Sequence, residues 1–264
     1  MKNLIVFALL LGACQNTGTD VLAAQSYTQQ ATVFQADNLL NGVQQKIYNA
    51  FVQGMMTQKD EQLAQIKTDL ATLYQQKNQN LIQYWRAYLA YYHAIYALKL
   101  SKKDLAEQYT DEGIDLLDEM KGKNSEDYAM LALLQSFSIQ FKMGIKAPFI
   151  SSTVKSNAEK AMQLDKENPR GYFVYASSDF YTPEQYGGGK EAEQYLLKAV
   201  ALPAQKVQNA LLPSWGKEEA YEMLVKLYIK KEKWTEAKKY FQEGIAVYPN
   251  SYGINQLASK LVGK

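Results

Sequence analysis

With one histidine and one cysteine in 264 residues, the chain has little from which to build a reaction centre. His93 lies in Tyr88-Leu89-Ala90-Tyr91-Tyr92-His93-Ala94-Ile95-Tyr96, with no serine or cysteine nucleophile nearby in sequence. A general base must reach the proton it abstracts, so His93 reads as a helix-packed or surface histidine. A structural zinc site takes four ligands, mostly Cys and His, and Cys14 and His93 cannot supply them; no metal and no cofactor is expected. The carboxylates of Asp115 and Glu119, and of Glu218 and Glu222, stand four apart, as on one exposed helix face. Glycoside hydrolysis instead needs two carboxylates facing each other across a cleft. The expectation is a protein that is not an enzyme.

Two groups of residues point to binding. Of 20 tyrosines, Tyr84, Tyr88 and Tyr91 trace one row along a helix, and Trp85, Leu89, Tyr92 and Tyr96 trace the row beside it. The two rows cannot face the same neighbour. Either one lines a groove, where flat amphipathic rings hold a peptide, or both pack against adjacent helices with hydroxyls reaching water. Tyr84, Tyr88, Tyr91 and Tyr92 are the candidate contacts. The second group is Asn168-Pro169-Arg170-Gly171-Tyr172, followed by Tyr181-Thr182-Pro183-Glu184-Gln185-Tyr186-Gly187-Gly188-Gly189-Lys190. Three glycines before a lysine suggest a phosphate cradle, but the required G-x-x-x-x-G-K-[ST] spacing is missing and no strand precedes the run. A turn between two helices fits better, the glycines permitting positive φ and close backbone approach. Arg170, Tyr172 and Tyr186 beside it are further candidate partner contacts.

The elements that position these residues are helices, since the apolar spacing is helical and β-branched alternation is missing. From Glu218 to Asn250 one helix runs through Tyr221, Leu224, Leu227 and Tyr228, Lys230 to Trp234 turn, and a second carries Ala237, Phe241, Gly244 and Ile245 before Pro249. Ala192, Leu196 and Ala199, with Pro203 after them, repeat the second-helix pattern. Asn157 to Asp165 ends such a helix, and Asn168-Pro169 opens another with proline in its first turn. Ala94, then Ala106, Thr110 and Gly113, keep the same spacing, and Ala64, Thr68 and Ala71 form a weaker unit.

The unit at 218–250 resembles a tetratricopeptide repeat (TPR), whose pattern is about 34 residues long. Leu224, Tyr228, Ala237, Phe241 and Pro249 match; Val225 stands where Gly or Ala is usual, and Gly244 where Ala is usual. The resemblance is specific over about residues 168–252. It implies an all-α, right-handed superhelical solenoid of about five helix pairs over residues 31–264, with the first helix of each pair lining a concave face. A helical bundle over residues 30–120 is the other reading. Ala192, Leu196, Ala199, Leu224, Tyr228, Ala237, Phe241, Gly244 and Pro249 are the expected repeat-packing positions. Such solenoids bind partners without a catalytic centre, so the expected partner is a protein or peptide. The alternative is a small molecule or glycan stacked in a tyrosine-rich pocket.

The rest of the sequence places that solenoid. Lys2 and the run Leu4 to Leu11 read as a secretory signal over residues 1–13, too short to span a bilayer. Leu11-Gly12-Ala13-Cys14 resembles a bacterial lipobox, which implies lipidation of Cys14, a polar tether over 14–30, and a membrane-anchored protein facing the periplasm. Cleavage after Ala23, giving a soluble secreted or periplasmic protein, is the competing reading. Lys plus Arg number 29 and Asp plus Glu 27, a net charge of +2. No strong field draws nucleic acid. The lysines from 226 to 239 alternate with glutamates, as on a solvated, salt-bridged helix face.

Overall fold

The computed structural model describes residues 39–142, 146–203 and 209–264. The signal, Cys14 and the tether lie outside the described residues. Helices α1 (Val43–Thr57), α2 (Glu61–Lys77), α3 (Asn80–Lys99), α4 (Lys103–Asp118), α5 (Ser125–Ser138) and α6 (Lys146–Leu164) form the first half. The second half holds α7 (Pro169–Tyr181), a 3-10 turn (Glu184–Tyr186), α8 (Ala192–Ala201), α9 (Lys217–Lys230), α10 (Trp234–Val247), α11 (Tyr252–Asn255) and α12 (Ala258–Leu261). No strand occurs among the described residues, and the all-α expectation holds.

Local chemistry sets the helix ends. The Asn124 side chain accepts from Glu126 N and Asp127 N while Asp127 accepts from Asn124 N, a reciprocal capping box at the start of α5. Asn168 caps α7 by accepting from Arg170 N at 3.0 Å, with Pro169 behind it. Glu232, at φ 56, reverses the chain between α9 and α10.

The helices pack in sequence order: α1 on α2, α3 on α4, α5 on α6, α7 on α8 and α9 on α10. The first helices of successive pairs also touch, α1 with α3, α3 with α5, α5 with α7 and α7 with α9. Small residues permit this approach. Ala106, Val154, Ala192 and Ala237 are fully buried. A Cβ on Gly113 would sit 2.9 Å from Leu134 and 3.2 Å from Ala90, and one on Gly244 would sit 3.1 Å from Ile254.

One detail differs from the sequence reading. Ala64 is exposed, and α2 instead buries Leu63, Leu70 and Leu73; the pair α1–α2 is closed by large aliphatic side chains rather than by a small-residue seam. The chain after Pro249 forms two short helices, with Ile254, Leu257 and Leu261 buried against the last pair.

A further tie spans the sequence. Between α8 and α9 the segment Asn209 to Gly216 reaches back to the start of the array. Gly42 N donates to Ala210 O at 2.9 Å, Trp85 Nε1 to Leu211 O at 3.0 Å, and Ser214 N to Gln44 Oε1 at 2.7 Å. Trp215 Nε1 donates to the Tyr84 hydroxyl at 2.6 Å. Leu211 and Trp215 are buried, so this strap covers the part of α3 that carries Tyr84 and Trp85.

Candidate functional site: a cavity on the first-helix face

Beyond the strap, the first helices of the last four pairs line a cavity of about 1170 Å³. α3 contributes Tyr91, α5 Leu133, Ser136 and Phe137, α7 Phe173, Ser177, Ser178 and Tyr181, and α9 Glu219, Glu222, Met223 and Lys226, while Gln140 past the end of α5 and Ala147, Pro148 and Ser151 of α6 complete the wall. On α5, α7 and α9 the lining residues are three or four apart, so one face of each of these helices turns inward. Tyr91 and Phe137 meet edge to face at 5.2 Å. Tyr181 and Tyr186 stand at the wall, 66% and 73% exposed.

The polar groups are few and distinct. Glu222 and Lys226 form an ion pair one turn apart on α9. Glu219 has no basic partner within ion-pair distance among the described residues; its Oε2 accepts from Gly216 N at 2.6 Å and closes the first turn of α9. Burial pushes the Glu219 carboxyl up to about 7. Ser178 lines the cavity, and its hydroxyl oxygen is buried with no hydrogen-bond partner among the described residues.

The glycine-rich loop borders this site and is a built turn. Asp179 is buried, and its Oδ2 accepts from Glu191 N at 2.9 Å and Ala192 N at 2.8 Å, fixing the start of α8. Its backbone oxygen accepts from Gly189 N at 2.9 Å. A Cβ on Gly188 would fall 1.9 Å from the Thr182 oxygen, so no side chain fits there. The loop backbone is used internally, as the reading of a specialised inter-helix turn requires.

The candidate contacts separate into three groups. Tyr91 and Tyr186 come together at the cavity. Tyr84 and Tyr88 are buried, Tyr84 beneath the strap. Tyr92 packs edge to face on Phe51 of α1 at 5.3 Å, with its hydroxyl 3.4 Å from that of Tyr88. Burial raises the pKa of all of these hydroxyls on α3. Tyr172 lies in a separate shallow depression with Tyr195, under Lys198.

Arg170 requires a correction: it is fully buried, pairs with Glu126 through Nε and Nη2, and donates from Nη1 to Trp215 O at 2.9 Å. It reaches no solvent-exposed surface. Of the packing positions, Ala192, Leu196, Ala199, Leu224, Tyr228, Ala237 and Gly244 are buried, Phe241 is half-buried, and Pro249 is exposed just past α10. His93 is buried edge-on to Tyr109 at 4.6 Å, and burial lowers its pKa.

Sequence reading missed Phe173, Ser177, Ser178, Glu219 and Met223. Their signal is positional only, residues three or four apart on the inner faces of α7 and α9.

These features define a class: an all-α protein of sequentially packed helix pairs with an aromatic cavity on the face of the first helices. No family model and no curated protein matches the chain. Among the described residues no helix is long and apolar enough to cross a membrane, and no group of three or more His, Cys, Asp or Glu is placed to hold a metal ion.

Proposed function

We propose that the chain is a non-catalytic, TPR-like right-handed superhelical solenoid of the cell envelope, whose concave face receives an apolar segment of another protein. One observation carries this reading: the four successive first helices share a single large cavity with aromatic walls. A preformed surface of this kind loses little ordering entropy on binding, and aromatic anchors supply most interface energy. Lipidation at Cys14 would hold the solenoid at the membrane, facing the periplasm. A small-molecule or glycan ligand is the second reading, favoured by the strap from Asn209 to Gly216, which closes the α1–α3 end and shortens the groove.

A photo-crosslinking residue at Tyr181, on the cavity wall, tests the main reading, with the same residue at exposed Lys160 as control. In intact envelopes the Tyr181 position should give a discrete protein adduct that the Lys160 position does not. A pattern identical at both positions rejects the cavity as the partner site. Intact mass of the mature protein tests the anchor: an acylated terminus at Cys14 supports it, and a free terminus at Ala24 removes it.

A further inference from the structure

We propose, resting on the peptide-binding reading above, that the segment received in the cavity carries a lysine or arginine flanked by apolar residues, its cationic head paired with Glu219. Three ionisable side chains line this cavity on α9. Glu222 and Lys226 neutralise each other. Glu219 is left over, with one oxygen engaged by the Gly216 N–H and no cation within ion-pair distance among the described residues; the buried Arg170 guanidinium feels its charge but is already held by Glu126. A half-buried carboxylate without an ion-pair partner is costly, and a charge arriving with the ligand offsets that cost.

The surroundings fit the remainder of such a side chain. Phe173 on α7 and Met223 on the same helix as Glu219 are apolar wall, and Tyr91 and Phe137, which meet edge to face, add aromatic lining. The methylene stem of a lysine or arginine packs on surfaces of this kind while its head meets a carboxylate. An anionic ligand is disfavoured by Glu219, and a purely apolar one leaves that carboxylate without an ion-pair partner.

The test is selection from a random heptapeptide library displayed on phage, against the purified full chain. Enriched peptides should place Lys or Arg beside aromatic or aliphatic residues. In a selected peptide, norleucine in place of the basic residue should weaken binding about tenfold or more, the scale of a charged hydrogen bond. Glu219→Gln, which keeps an acceptor for Gly216 N, should weaken the parent peptide equally and leave the norleucine peptide unaffected. Enrichment without basic residues, or equal binding of parent and norleucine peptides, overturns the inference while the cavity reading stands. No enrichment, or binding that survives filling the cavity by Ser177→Trp and by Met223→Trp, overturns the cavity reading itself. The norleucine comparison uses the unaltered protein, so it decides the matter even where a variant folds poorly.

Discussion

Arg170 on α7 holds Glu126 on α5 through Nε and Nη2 of its guanidinium, with Arg170 wholly removed from solvent. The third nitrogen donates to Trp215 O at 2.9 Å, and the guanidinium lies 5.8 Å from the centre of the Trp215 ring. Trp215 in turn donates to Tyr84 on α3. One buried charge pair therefore fixes the first turns of two helices and the strap that crosses a third. Gly216 is part of the same fit, since a Cβ there would lie 2.6 Å from Arg170 Cγ.

Removing one partner strands the other charge. Arg170→Met and Glu126→Leu should each destabilise the fold by about 3–5 kcal/mol, measured by urea unfolding. The double variant should cost clearly less than the two single costs combined, because paired apolar replacements of similar volume are often tolerated. Additive costs would mean that the pair is not energetically coupled.

The strap should depend on its tryptophan. Trp215→Ala removes a buried ring that packs edge-on to Phe173 at 6.4 Å and donates to Tyr84. Truncating a buried tryptophan costs about 3–5 kcal/mol. Limited proteolysis should then cut within residues 209–214 much faster than in the wild type, ahead of global unfolding. Unchanged cleavage there would show that the hydrogen bonds to Gly42, Gln44 and Trp85 hold the strap without the ring.

How much of this was legible in the chain follows from the range of the interactions. The helix pair at 218–250, the Asn168-Pro169 helix start and the small residues at Ala106, Ala192 and Ala237 are local patterns, and the structure places them as helical periodicity and capping require. Ala64 misled because α2 closes on leucines, and a lone small residue on a polar helix resembles a packing seam. The Arg170–Glu126 pair joins positions 44 apart, and the Trp215–Tyr84 bond positions 131 apart. No periodic pattern encodes such pairs. Arg170 therefore looked like a surface cation next to a glycine loop. The tyrosine rows on α3 were half legible: the two-row geometry is real, but the strap that buries Tyr84 comes from a distant segment. Only Tyr91, farther along the same row, reaches the cavity.

The glycine loop gives a rank order. Gly188→Ala sets a methyl against the Thr182 oxygen and should force the loop open, with the largest loss of thermal stability in this segment. Gly187→Ala meets no atom within 4 Å but must hold φ at 88, a cost of roughly 1–2 kcal/mol. Asp179→Ala removes the cap on Glu191 N and Ala192 N and should cost about 1–2 kcal/mol. Melting temperatures of the three variants check the order; Gly187→Ala falling below Gly188→Ala would contradict the close approach at Thr182.

Glu219 makes stability depend on pH in a direction that can be derived. Its carboxyl titrates near 7 in the folded protein, pushed up first by burial, against an ordinary value of 4.5. A carboxyl raised on folding binds its proton more tightly in the native state, so the native state loses stability as pH rises from about 4.5 to 7 and stays lower beyond. Glu219→Gln has no such titration and keeps the acceptor for Gly216 N. The difference in melting temperature, variant minus wild type, should therefore rise between pH 5 and pH 8. Other buried titratable groups, such as His93 and Asp127, are common to both proteins and cancel in that difference. Glu219 is only partly shielded from solvent, so the expected gain is roughly 1–2 kcal/mol, a few degrees for a chain of this size. A difference that stays flat from pH 5 to pH 8 would show that Glu219 is ionised across the whole range, and that the cavity leaves its carboxylate as well solvated as one on the open surface.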